Sequence, residues 1–170
     1  MIPYVTNREK GEICEVNGQR LEGDEADMTG FKDRCIPYEM KANLIKIIDY
    51  KEKNLRGILY NPFYESPQYF DNLAQCLFMM EWVMDSLDFP QRGKENRVFS
   101  QEELKGTWRR RATPQEERLP AMATFQIMVL FRQNASWQGN LAWRERELDA
   151  PFRSVLELIC LIDSALSYWE

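Results

Sequence analysis

The chain has 170 residues, 44% of them hydrophobic and 29% charged, with a formal net charge of −5 and no histidine. That is enough chain for one ordinary core, and the acidic balance and absence of a long apolar run argue against a membrane span or a basic nucleic-acid footprint. Without histidine the commonest neutral-pH base, the usual nucleophilic triad and the most frequent metal ligand are all missing.

The first residues, Met1-Ile2-Pro3-Tyr4-Val5-Thr6-Asn7, show neither the basic segment nor the apolar run of an export signal, so a cytoplasmic protein is expected. Val16-Asn17-Gly18-Gln19 predicts a hairpin around 13–21, because Asn-Gly readily takes the positive φ angles of a two-residue turn. The acidic run Glu22-Gly23-Asp24-Glu25-Ala26-Asp27 lacks the alternating order of a calcium loop and reads as a solvated loop. Cys14, Cys35, Cys76 and Cys160 are scattered without paired spacing, which gives neither a disulfide framework nor a zinc site. The last two fall in apolar helical stretches and are expected to pack as small hydrophobes.

From Leu44 the chain carries a pattern that returns 82 positions later without a gap. Ile45 and Ile47 fall on Ile127 and Val129, Leu55 on Trp137, Gly57 on Gly139, Leu59 on Leu141 and Phe70 on Phe152. Leu73, Leu77, Met79, Met80 and Met84 meet Val155, Ile159, Leu161, Ile162 and Leu166, and acidic Glu81 meets acidic Asp163. Self-similarity at fixed spacing is the mark of a duplicated unit. In the later copy Phe125, Ile127, Val129 and Phe131 alternate with Gln126, Met128, Leu130 and Arg132, the period of a strand, and Trp137 to Trp143 alternates likewise. Pro67 and Pro151 sit where first-turn prolines belong, with Ser66 and Asp149 near the caps, so helices are expected over 67–87 and from 151 onward. Both helices are apolar over much of their circumference and are expected to be covered on two sides.

Between the copies, 89–121 is charged and broken by proline and glycine, which reads as an insertion. Ser100-Gln101-Glu102-Glu103 has capping-box form, and Gly106 is placed to end a short helix. Trp108, Arg109, Arg110 and Arg111 form the basic cluster: an aromatic beside three guanidinium groups can stack on a base and neutralise phosphates. Glu102, Glu103, Glu116 and Glu117 flank it, and intramolecular ion pairs are the competing account.

Arg132, Gln133, Asn134 and Gln138 surround Trp137 at the second hairpin turn. Trp and Arg are residue types favoured at interface hot spots; equally, Trp137 can fill the core while the polar groups tie off turn amides. Glu81 and Asp163, on mostly apolar helices, either face solvent or need partners, for which Arg132 and Arg153 are candidates.

Phe131-Arg132-Gln133-Asn134-Ala135-Ser136-Trp137-Gln138-Gly139, with Phe152-Arg153-Ser154-Val155-Leu156-Glu157-Leu158 and Leu161-Ile162-Asp163-Ser164-Ala165-Leu166, resembles a group of small uncharacterised proteins of Clostridia-type Firmicutes. Members of that group are often little more than this strand–turn–strand–helix unit. The resemblance implies an intracellular bacterial source and a recurring module, and carries over no catalytic or binding residue.

The expected architecture is a single α+β domain of two tandem β-hairpin–helix (ββα) repeats, 44–88 and 122–170. Together they form a pseudo-twofold antiparallel sheet with two packed helices, an N-terminal hairpin region at 1–43 and the polar insertion at 89–121. The expected function is a non-enzymatic protein-interaction module with a regulatory or inhibitory role. A narrower form is a phage- or mobile-element-encoded inhibitor of a host nucleic-acid enzyme, of the anti-CRISPR kind. The alternative is nucleic-acid binding through Trp108 to Arg111. The expected partner is another protein or a second copy of the chain, with no membrane, cofactor, metal or catalytic residue implied.

Overall fold

The computed structural model describes residues 36–94, 97, 109–133 and 136–167. The hairpin expected at 13–21, the acidic run at 22–27, Cys14, Cys35 and the capping box at Ser100 lie outside these residues.

The fold is α+β. One turn of helix, α1 (Tyr38–Lys41), leads into β1 (Ala42–Lys51), β2 (Asn54–Tyr60) and β3 (Gln68–Phe70), followed by α2 (Leu73–Ser86). Then come β4 (Arg110–Arg111), α3 (Pro114–Arg118), β5 (Ala123–Phe131), β6 (Gln138–Trp143), β7 (Leu148–Phe152) and α4 (Val155–Leu166). The seven strands form one sheet in the order β4-β3-β2-β1-β5-β6-β7, every neighbouring pair antiparallel.

The offset of 82 found in the sequence recurs in the strand pairing. At the centre of the sheet Leu44 stands opposite Gln126, its own counterpart at that offset. Ile47 pairs with Gly57 and Val129 with Gly139; each ladder then shifts register at the next residue, between Ile47 and Asp49 and between Val129 and Phe131. Gly57 faces Phe70, and Gly139 faces Phe152. A Cβ at Gly57 would stand 2.2 Å from the Lys46 carbonyl oxygen and 2.7 Å from the Phe70 ring; at Gly139 it would stand 2.0 Å from that of Met128 and 2.9 Å from the Phe152 ring. Only glycine leaves room for a phenyl ring lying across the neighbouring strand, which is how an aromatic covers a glycine in a sheet.

The inner face of the sheet carries Ile45, Ile47, Leu55, Leu59 and Phe70 from one half and Phe125, Ile127, Val129, Leu141 and Phe152 from the other, all buried. Against it lie Cys76, Met79, Met80 and Met84 of α2 and Leu158, Ile162, Ala165 and Leu166 of α4. Each large apolar side chain fully withdrawn here contributes about 2 kcal/mol.

Both long helices begin later than the proline positions suggest, because a third strand precedes each. Asn72 caps α2, its side chain accepting from the Gln75 N–H at 3.0 Å, and Ser154 caps α4, accepting from the Glu157 N–H at 3.1 Å. Ser66 and Asp149 are therefore not caps. Pro151 lies within β7, where the outer edge of the sheet asks no hydrogen bond of its missing N–H. Cys76 is buried as expected, and burial pushes its thiol pKa upward. Cys160 is exposed, contrary to expectation, because it lies on the side of α4 turned away from the sheet.

Candidate functional site

Arg132 and Trp137 flank the second hairpin turn, and both are buried, at 3% and 8% exposure. A guanidinium so enclosed must have its donors matched and its charge offset. Arg132 donates from Nε to the Pro90 carbonyl at 2.7 Å and from Nη1 to Asp85, with Glu81 at 3.4 Å. Arg92 donates from Nη2 to Glu81 at 2.8 Å and also to Asp85. The Trp137 indole N–H completes the group by donating to Glu81 Oε2 at 2.8 Å. Two guanidiniums, two carboxylates and an indole thus lock the hairpin to α2. Arg132, Arg92, Glu81 and Trp137 wall a cavity of about 210 Å³ together with Leu77, Phe78 and Val155. Of the other turn residues, Gln133 is exposed, Gln138 is half-buried on β6, and Asn134 is outside the described residues. Of the turn's residues, Arg132 and Trp137 are thus buried and bonded within the fold.

The sequence pointed to Glu81 and Arg132 and missed Asp85 and Arg92. Glu81 and Asp85 stand four apart, on one face of a helix turn, which is the spacing that lets two carboxylates share a cation from outside the helix.

The residues 82 positions away hold different chemistry. Tyr50, 82 positions before Arg132, donates its hydroxyl to Asp163, 82 after Glu81. Lys53 donates to the same carboxylate at 2.8 Å and to the Ser167 hydroxyl at 3.2 Å. The Lys53 ammonium, and then the Tyr50 hydroxyl, hold the Asp163 carboxyl below the usual range; burial, and then Asp163, raise the Tyr50 phenol above its own. Arg153, the other candidate partner for Asp163, lies just before α4 and pairs instead with Glu157 in its first turn at 2.8 Å.

In the basic cluster, Trp108 is outside the described residues. Arg109 lies over the Trp82 ring, 4.4 Å from its centre. Arg110 makes a two-pronged pair with Glu116, both contacts 2.8 Å, and covers the Tyr69 ring at 3.8 Å. Arg111 is exposed and 3.4 Å from exposed Glu65. Glu116 also closes a capping box on α3, accepting from the Thr113 N–H at 2.8 Å while its own N–H donates to Thr113 Oγ1 at 3.3 Å. Arg110 above all, with Thr113, brings the Glu116 carboxyl down to about 2. Thr113-Pro114-Gln115-Glu116 is a capping-box sequence with proline at the first helical position, a signal that sequence reasoning missed. Lys46 secures α3 to the sheet through the Glu117 carbonyl at 2.7 Å.

The outer side of α2 exposes Phe78 and Trp82, at 53% and 45%, one helical turn apart. At the same places on α4 stand Cys160 and Ser164, both exposed. Among the described residues no three His, Cys, Asp or Glu side chains are grouped to hold a metal ion, and no helix is long and apolar enough to cross a membrane. The chain matches no family model, no curated protein and no solved structure with which it was compared.

Proposed function

We propose that the protein is a non-enzymatic protein-interaction module with a regulatory or inhibitory role, and that its contact surface is the outer side of α2. We further infer that it is built from two copies of one unit, each a three-stranded meander followed by a helix. The recurrence of strand pairing, register shift, glycine–phenylalanine contact and helix cap at one offset supports this duplication.

The observation that carries the functional reading is the contrast between the two helices. Phe78 and Trp82 are bulky rings, whereas the residues 82 positions further on are the small side chains Cys160 and Ser164. Large exposed aromatics are the residues a partner would use, and an arginine stacked on a tryptophan supplies both types favoured at interface hot spots. The net charge of −5 suits a basic partner surface, as in an inhibitor of a host nucleic-acid enzyme encoded by a phage or mobile element, the anti-CRISPR kind included. Nucleic-acid binding through Trp108 to Arg111 draws less support, since Arg110 is neutralised by Glu116 and the faces of Arg109 and Arg110 are occupied by rings.

The test is affinity capture from host lysate with and without nuclease, using the wild type, Phe78→Ala, Trp82→Ala and Arg111→Ala. A stoichiometric protein that survives nuclease, is lost from the first two variants and stays with the third is the expected result. Capture that needs intact nucleic acid, or that survives both aromatic substitutions, overturns the reading.

A further inference from the structure

The cavity between α2 and the second hairpin turn is bordered by more donors than the fold uses. The carboxylate oxygens beside it are all spent: Glu81 takes Arg92 and Arg132 on Oε1 and Trp137 on Oε2, while Asp85 takes Arg132 on Oδ1 and Arg92 on Oδ2. Both bonds from Arg92 leave through Nη2. Its Nε–H and Nη1–H groups have no hydrogen-bond partner among the described residues, and the side chain keeps 26% of its surface exposed. Lys94 is exposed and Ser136 half-buried; both line the cavity, and neither side chain is bonded to another described residue.

Donors with access to water cost the fold nothing, so these groups remain on offer to a ligand, and what they call for is an acceptor. Charge says the same. Arg92, Lys94 and Arg132 stand against Glu81 and Asp85, which leaves one positive charge over on a chain whose net charge is −5. The rest of the lining is apolar, from Leu77, Phe78, Val155 and the Trp137 ring. Apolar walls with a few convergent polar groups are the usual make-up of a small-molecule site. An apolar cavity of about 150 Å³ holds benzene, so about 210 Å³ has room for a short hydrocarbon chain. An inorganic anion would leave those walls wet, and a plain hydrocarbon would make no use of the donors.

We propose that this cavity binds the anion of a small carboxylic acid with an apolar body, the carboxylate held by Arg92, Lys94 and Ser136 and the body laid between Leu77, Val155 and Trp137. The inference goes beyond the partner reading, and its test leaves Phe78 and Trp82 intact. That test is an NMR titration of the ¹⁵N-labelled full chain with hexanoate, hexanol, hexylamine and acetate, following the Trp137 indole N–H and the Ser136 amide. Hexanoate is expected to move both signals saturably. Hexanol should bind about tenfold more weakly for want of the charge, hexylamine more weakly still, and acetate, with almost nothing to bury, should move neither signal. Lys94→Gln should weaken hexanoate about threefold and leave hexanol unchanged. Val155→Phe, which narrows the cavity, should abolish the shifts with both; Lys94→Gln, at an exposed position, keeps the test open should Val155→Phe fail to fold. No saturable shift with hexanoate, or binding unchanged in Val155→Phe, overturns the site. Hexanol or hexylamine binding as tightly as hexanoate, or no effect of Lys94→Gln, overturns the choice of an acid, and acetate binding as tightly as hexanoate overturns the apolar body.

Discussion

Trp137 donates its indole N–H to Glu81 at 2.8 Å, joining the turn of the second hairpin to the helix of the first half. Because the acceptor is a carboxylate oxygen and Trp137 is 8% exposed, this bond lies at the strong end of the neutral-donor range. Trp137→Phe, which keeps a ring in place but removes the donor, should cost about 2 kcal/mol. Equilibrium urea unfolding reads this directly as a lower midpoint at unchanged slope.

Glu81 and Asp163 hold equivalent places but should respond unequally to removal of charge. Glu81→Gln leaves the buried Arg132 facing one carboxylate instead of two and should cost about 2 kcal/mol, while Arg132→Met, which strands both carboxylates beside Arg92, should cost about 3 kcal/mol. Asp163→Asn removes an exposed pair with Lys53 and should lower the midpoint less than either. A midpoint for Asp163→Asn below that of Glu81→Gln would contradict this order.

Gly57→Ala and Gly139→Ala should be destabilising to a similar degree, about 3 kcal/mol each, because each new methyl meets a backbone oxygen that cannot move without parting two strands. Replacing Phe70 or Phe152 by leucine in the same chain should recover only part of the loss, since the carbonyl contact remains. Thermal unfolding of the single and paired variants checks this.

Glu116 ties β4 and α3 together, and its folded-state pKa of about 2 lies below the ordinary 4.5. The unfolded chain therefore takes up the proton first on acidification. The contribution is whole above pH 4.5 and is lost as pH falls from there to about 2. With half of the Arg110 side chain exposed, screening limits it to about 1 kcal/mol. The gap in stability between wild type and Glu116→Gln, measured from pH 7 to 2.5, should narrow through that window.

Much of the sheet could be read from the sequence, because alternation at Phe125 to Phe131 and the aligned Gly57 and Gly139 carry a period that burial on one face imposes. The third strands could not. Gln68–Phe70 is too short to show a period, and Pro67 and Pro151 imitate a helix's first turn. The true caps did leave a trace, since Asn72 and Ser154 are each followed three residues later by Gln75 and Glu157. At the second hairpin turn, residue types alone could not separate a displayed Trp–Arg pair from a buried one. The balance was tipped by Asp85 and Arg92, which close the network only in three dimensions.

The seam between β1 and β5 has a kinetic meaning. Its paired residues are 76 positions apart at Ile47 and Ala123 and 86 apart at Ala42 and Met128, whereas the other strand ladders within each half are made of near neighbours. Each meander can therefore form locally, and docking across the seam is the step that must close a long loop, whose entropic cost rises only slowly with its length. Lengthening the connection between the halves should slow folding little, whereas a β1 or β5 that cannot pair should leave two half-formed meanders, each with a bare hydrogen-bonding edge open to another chain.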